Sequence, residues 1–242
     1  MTFAIAQLFI NLIVITMVYI GVATLVGYLR AWIIDRLGDS TPAHMGYLTL
    51  NPIAHISVYS MLWIFLYIFR IVPTLFCWGK YIPFNSQAVR SHSGRGGILI
   101  AYLADTVIHI LFAILGLIIL QASFGQPMDQ IIESMIRYGY LDHSLIANLF
   151  ITRSSLAITL GFVGITFVYI NTLLAFFSLV INSVGLIQAL VLDRYNIANE
   201  YKIGWIAFAP IVIVVLLGSV LHNYVIRFLF KIAEKILKLF GY

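Results

Sequence analysis

Asp105 and His109 lie four residues apart in a run of otherwise apolar sequence. On a helix that spacing puts a carboxylate and an imidazole on one face, which is the spacing of paired metal ligands. A catalytic zinc usually takes three protein ligands, so two groups are one short. His44, His55 or His92 could complete a set only if their loops folded inward. The plainer expectation is that Asp105 and His109 are buried polar groups of a helix bundle, hydrogen-bonded or ion-paired. Arg30 is the third charged residue near an apolar run. Its guanidinium stays protonated in proteins. It can snorkel to a membrane interface, or pair with Asp105, because charges within a membrane tend to pair. Asn171 and Asn182 are amides inside another apolar run, able to hydrogen-bond neighbouring helices or the backbone of a guest helix.

The elements that position these groups are membrane helices. The 242 residues are 62% hydrophobic and 10% charged, against about 25% charged in a soluble domain. The expected class is an all-α polytopic membrane protein, in contact with the lipid bilayer. A net charge of +5 fits cytoplasmic-loop bias. No basic run interleaved with aromatics points to nucleic acid. The single cysteine, Cys77, excludes an intrachain disulfide and a cysteine metal cluster.

The chain reads as one membrane domain, 1–242, with four to six hydrophobic elements. Residues 1–36 hold a first transmembrane helix, expected to be retained because no basic leader or cleavage site precedes it. Residues 37–96 read as cytoplasmic loops around an apolar segment, 56–78, interrupted by Arg70 and Pro73. A re-entrant path for 56–78 keeps the basic segments 30–36 and 79–96 on one side, as the positive-inside bias favours. Residues 97–122 are a second span. Residues 154–192 carry no charge and as one helix would run about 58 Å against a hydrocarbon core of about 30 Å. A break is therefore expected at Asn182-Ser183-Val184-Gly185. Residues 203–226 are a further span, and 227–242 an amphipathic helix with Arg227, Lys231, Glu234, Lys235 and Lys238 on one stripe. Tyr59, Trp63, Tyr67, Trp78 and Tyr81 read as interface anchors or core.

Three blocks carry a family resemblance. The first is Leu37-Gly38-Asp39-Ser40-Thr41, followed by Gly46-Tyr47-Leu48-Thr49-Leu50-Asn51-Pro52-Ile53-Ala54-His55. The second is Trp78-Gly79-Lys80-Tyr81-Ile82-Pro83-Phe84-Asn85, with Ala104-Asp105 further on. The third is Asn171-Thr172-Leu173-Leu174-Ala175-Phe176-Phe177-Ser178-Leu179. Together they resemble the compact site-2 proteases, intramembrane zinc metalloproteases, over most of residues 26–187. The resemblance implies a site-2-protease-like helix bundle. It implies structural loop roles for Gly38, Asp39, Asn51, Pro52, His55, Trp78, Gly79, Lys80, Pro83 and Asn85.

The chemistry of that family is missing here. The His-Glu-x-x-His ligands and base align with Val26, Gly27 and Arg30, and the later Asp-Gly aligns with Leu186 and Ile187. The family's prolines align with Ile181, Ser183 and Val184. A fixed positive charge at Arg30 would repel a dication by several kcal/mol at close range in low dielectric. The resemblance thus implies a degenerate homologue with no catalytic residue, no metal ligand and no cofactor. Such a scaffold would bind or hold a transmembrane partner protein, with Asn171 and Asn182 lining the groove and Arg30, Asp105 and His109 forming a polar cluster. Two alternatives are a divergent metalloprotease using zinc at Asp105, His109 and a loop histidine, and a small transporter built on a discontinuous helix. The expected location is a bacterial inner membrane, with an organelle membrane as the alternative.

Overall fold

The computed structural model describes residues 2–72, 75, 77–124 and 155–191, with Tyr224, Phe228, Lys231, Ile232 and Lys235 as isolated helical positions. The segments expected at 123–153, 203–226 and 227–242 lie almost wholly outside the described residues. Six helices are described: α1 (Thr2–Arg36), α2 (Thr41–His44), α3 (Pro52–His55), α4 (Val58–Ile68), α5 (Ser86–Phe124) and α6 (Ser155–Val191). Three of them, α1, α5 and α6, are long and apolar enough to cross a membrane. None of the three contains proline, the residue that removes a helix's own backbone hydrogen bond. Their outer faces carry stripes of exposed apolar side chains, such as Val107, Leu111, Leu115 and Ile119 at four-residue spacing on α5. In water such a stripe would be costly, whereas against lipid it is the expected surface. The chain is therefore a multi-pass membrane protein.

Lipid is as apolar as the helix faces, so close packing and polar contacts hold the bundle rather than hydrophobic burial. α5 and α6 run antiparallel and make the most extensive interface. Tyr102 meets Gly185, Asp105 meets Asn182, Thr106 meets Ser178, His109 meets Asn171, and Gly116 meets Val168. A Cβ added at Gly116 would stand 2.8 Å from Val168 Cγ2, and one at Gly164 would stand 2.7 Å from Leu120 Cδ2. Glycine at these two positions lets the helices approach. α1 packs across the pair, and Tyr19, Val22 and Val26 share one core with Ile64 and Ile68 of α4, Ile108 of α5 and Leu173, Leu174 and Phe177 of α6.

Two segments differ from the sequence expectation. Residues 154–192 do not break at 182–185, because α6 runs as a helix from Ser155 to Val191. The polar residues there are satisfied within the helix pair. Asn182 donates to Asp105 and Ser178, and Ser183 Oγ donates to the Val180 carbonyl. Gly185 serves contact rather than a break, since its Cβ would lie 2.5 Å from Tyr102 Cε1. The apolar stretch Thr159–Ile187 exceeds the hydrocarbon thickness, a mismatch that tilt accommodates. The second difference is at 79–96, where the basic loop gives way to helix at Ser86. Asn85 caps that start, its Oδ1 accepting from the Gln87 and Ala88 amides at 3.0 and 3.3 Å. Gly94 then kinks α5, with φ 64° and ψ −160°, a conformation open to glycine.

The eleven residues of α4 extend only about 16 Å, half the membrane core. Its flanks lie at one end of the bundle. Ser93 Oγ donates to the Leu37 carbonyl at 3.1 Å, and the Asn85 amide donates to Asp39. Arg90 reaches the carbonyl of Ala189 near the end of α6 at 2.6 Å. The basic groups of 30–36 and 79–96 therefore gather at one end of the bundle.

Packing at Gly116 gives a direct test. Val168 is β-branched and stiff, so Gly116→Val must spread α5 from α6. A loss of about 1–3 kcal/mol is expected from overpacking, read as a lower melting temperature in detergent. An unchanged melt would show that the helices do not meet there.

Candidate functional site

Three helices bring a polar cluster together near the loop end of the bundle. Arg30 of α1 and Asp105 of α5 form an ion pair, Nη1 to Oδ2, at 2.9 Å. Both side chains are largely withdrawn from solvent, at 6% and 16% exposure. Asn182 of α6 donates to the other carboxylate oxygen, Oδ1, at 2.9 Å, and its amide nitrogen also lies 3.0 Å from Ser178 Oγ. Ser178 shares a 2.7 Å hydrogen bond with Thr106. One carboxylate thus ties three helices. An ion pair at this depth is stable only when the remaining lone pairs are satisfied, and Asn182 satisfies them on the Asp105 side. On the Arg30 side, Nε and Nη2 are buried with no hydrogen-bond partner among the described residues.

His109 is placed one turn deeper and belongs to a different contact. Its Nδ1 lies 3.0 Å from Asn171 Oδ1, and Asn171 in turn donates to the Phe167 carbonyl. Asp105 and His109 therefore share a helix face but are bonded to separate partners. Asn171 is fully buried and faces α5 rather than a groove. Asn182 alone of the two amides lines the cavity.

That cavity has a volume of about 510 Å³ and opens between α1, α5, α6 and the 78–82 segment. Ala23, Val26, Gly27 and Arg30 contribute one face of α1, and Leu174, Ser178, Ile181 and Asn182 one face of α6. Trp63, Trp78 and Tyr81 also line it, so these three are cavity wall, whereas Tyr59 is exposed. The volume lies in the range of small-molecule and peptide-side-chain sites.

The loop residues build the cavity's rim. His55 is buried, and its Nε2–H donates to the Thr49 carbonyl at 2.7 Å. In the neutral ring this leaves Nδ1 as the acceptor, and Nδ1 has no partner among the described residues. The ring presses on Gly27, where any Cβ would collide with Nδ1. Asn51 caps α3 through the Ile53 amide at 3.1 Å, with Pro52 opening the helix. Trp78-Gly79-Lys80 runs alongside, its Lys80 amide donating to the His55 carbonyl at 2.8 Å and Gly79 bridging Ile56. Tyr19 and Ser60 both donate to the Trp78 carbonyl, at 2.8 and 2.9 Å. Lys80 Nζ stands 5.9 Å from the centre of the Tyr47 ring.

A second clasp sits below. Asp39 is buried and accepts from the Thr41 amide at 3.0 Å, the Thr41 hydroxyl at 2.6 Å and the Asn85 amide at 2.6 Å. Gly38 holds φ 98°, and a Cβ there would strike His92. Pro83 is half-buried beside Ile82 and Asn85. Tyr19, Ser60, Thr106 and Ser178 were not singled out by sequence. The only sequence signal for the last three is a lone hydroxyl in an apolar helix, which is common and unspecific.

Among the described residues, no three His, Cys, Asp or Glu side chains converge. Cys77 is buried, and burial pushes its thiol up to about 12. Compared with known families, curated proteins and solved structures, the chain matches none of them.

Removing one member of the ion pair strands a buried charge. Arg30→Met or Asp105→Leu alone is expected to cost about 3–5 kcal/mol, and the double variant to recover most of that. Denaturation of all four forms in detergent closes the cycle, and additive losses would show no pair. Asp39→Asn turns one acceptor oxygen into a donor facing other donors. A loss of about 2–3 kcal/mol is expected, measured the same way.

Proposed function

We propose that this chain is a catalytically inactive site-2-protease-like membrane protein whose cavity receives an apolar segment of a membrane partner. The single observation behind this reading is the Arg30 guanidinium. By the sequence resemblance Arg30 occupies a zinc-ligand position, and its side chain is ion-paired to Asp105 in the cavity wall. The other matched positions suit zinc no better. Val26 and Leu186 offer no lone pair, and Gly27 offers no base. The space a glutamate would need at Gly27 is filled by the His55 ring. No hydrolytic step is assigned.

The rest of the site supports retention of binding. The loop residues of the resemblance remain tied into a hydrogen-bonded rim at His55, Trp78 and Asp39. The cavity they border has apolar walls and a polar end, the character of a site for an apolar segment with a polar group. An Arg–Asp pair can hold α1 to α5 without a metal while the space between the helices stays open.

Site-specific photo-cross-linking tests the reading in the native membrane. A photoreactive residue at Ile181, in the cavity wall, is expected to give a discrete protein adduct. One at Leu115, on the outer face of α5, is expected to give lipid adducts only. Absence of a protein adduct at 181, or the same adduct at both positions, would overturn the partner reading.

A further inference from the structure

Lys80 holds a cation at the rim of the cavity. Its backbone is fixed there, because the Lys80 amide donates to the His55 carbonyl at 2.8 Å and the adjacent Gly79 bridges Ile56. The His55 ring rests against Gly27, about one turn of α1 from Arg30, so Lys80 stands at the polar end of the cavity. Its ammonium is steadied as well. Nζ lies 5.9 Å from the centre of the Tyr47 ring, within reach of a cation–π contact. Tyr47 is itself buried, sharing a core with Ala31 of α1 and Ile82.

Among the described residues, no carboxylate answers this charge. They contain Asp35, Asp39 and Asp105 as their acidic side chains. Asp105 is paired with Arg30, so those two charges cancel in the cavity wall. Asp39 is buried and engaged by Thr41 and Asn85. Asp35 lies beyond Arg30 on α1, and no ion pair joins it to Lys80. Of the charged side chains lining the cavity, Arg30, Lys80 and Asp105, Lys80 is the one left over, and it is exposed. It acts on whatever charge is brought beside it.

What is brought beside it is one end of the partner's apolar segment. Membrane segments ordinarily carry Lys or Arg at their cytoplasmic ends. Against Lys80 such a flank sets two like charges together at the edge of a low-dielectric wall, which is disfavoured. A carboxylate in the same place is attracted. The rim therefore discriminates by the sign of the flank, whereas the apolar wall of Ala23, Val26, Leu174 and Ile181 discriminates little among apolar segments. We propose that Lys80 selects the partner by charge: the segment that the cavity receives carries an Asp or Glu at the end lying against the rim. This rests on the partner reading above, and the experiment separates the two.

Photo-cross-linking from position 181 of the full chain in native membranes supplies both readouts. Ile181 adjoins Asn182 of the polar cluster, so the residue it captures marks the rim end of the partner segment. Mass spectrometry of the wild-type adduct is expected to show Asp or Glu within about one turn of that residue. Lys, Arg or no charged residue there would overturn the charge selection, and this reading requires no variant to fold. Initial adduct yield gives the second measurement. Lys80→Gln is expected to lower it about two- to fivefold, the range of a rim ion pair, and Lys80→Glu by at least about tenfold. Lys80→Arg, which keeps the charge, is expected to stay within about twofold of wild type. An unchanged yield in Lys80→Glu would overturn the proposal and leave the cation to lipid head groups, with the partner reading intact. A loss in Lys80→Arg equal to that in Lys80→Glu would overturn it too, since charge would not be the quantity read. Absence of any protein adduct in the wild type would remove the partner reading itself, and the selection with it.

Discussion

A single buried carboxylate organises this molecule. Asp105 binds Arg30 of α1 with one oxygen and Asn182 of α6 with the other, from its own place on α5. In a lipid environment, hydrophobic burial itself does not choose one helix arrangement over another, which leaves the choice to close packing and polar contacts. A carboxylate and a guanidinium do, because every arrangement that separates them leaves a charge without a partner in low dielectric. The pair therefore fixes the rotation of α1 against α5. The amide of Asn182 then fixes α6 against both. The glycines at 116 and 164 permit the closeness that these contacts require.

The same cluster determines what the cavity is. Apolar side chains on α1 and α6 make its walls, and the Arg30–Asp105–Asn182 set makes its polar end. The loops add a rim that is fixed in its own right. His55 rests against Gly27, the Trp78 carbonyl is held by Tyr19 and Ser60, and Asp39 ties residues 39–41 to Asn85.

Part of this was legible in the sequence because it depends on few residues. Charges are scarce in the apolar runs, so pairing with Asp105 stood beside snorkelling as one of two readings of Arg30, and the structure shows the pair. The long helices α1 and α5 follow from apolar length, whereas the same length argument wrongly broke α6. The turn chemistry at Asn51-Pro52 follows from side chains that cap helices. What was not legible depends on neighbours distant in sequence. Gly185 and Asn182 look like a helix break when read locally, since only the approach of Tyr102 and Asp105 shows why they are there. The helical start at Ser86 was masked by the polar run 86–96, which reads as loop. Asn171 looks equivalent to Asn182 in sequence, and only the facing His109 separates their roles. Gly27 carries no signal until the His55 ring is found against it.

We propose that the Arg30–Asp105 ion pair stands where the site-2 proteases that the sequence resembles hold their metal. Elemental mass spectrometry of the detergent-purified chain, grown with added zinc, tests it most directly. The account expects zinc at background, both in the wild type and in Asp39→Asn as a control for nonspecific loading. Near-stoichiometric zinc in the wild type would contradict it and would require ligands other than those the Arg30–Asp105 pair leaves available.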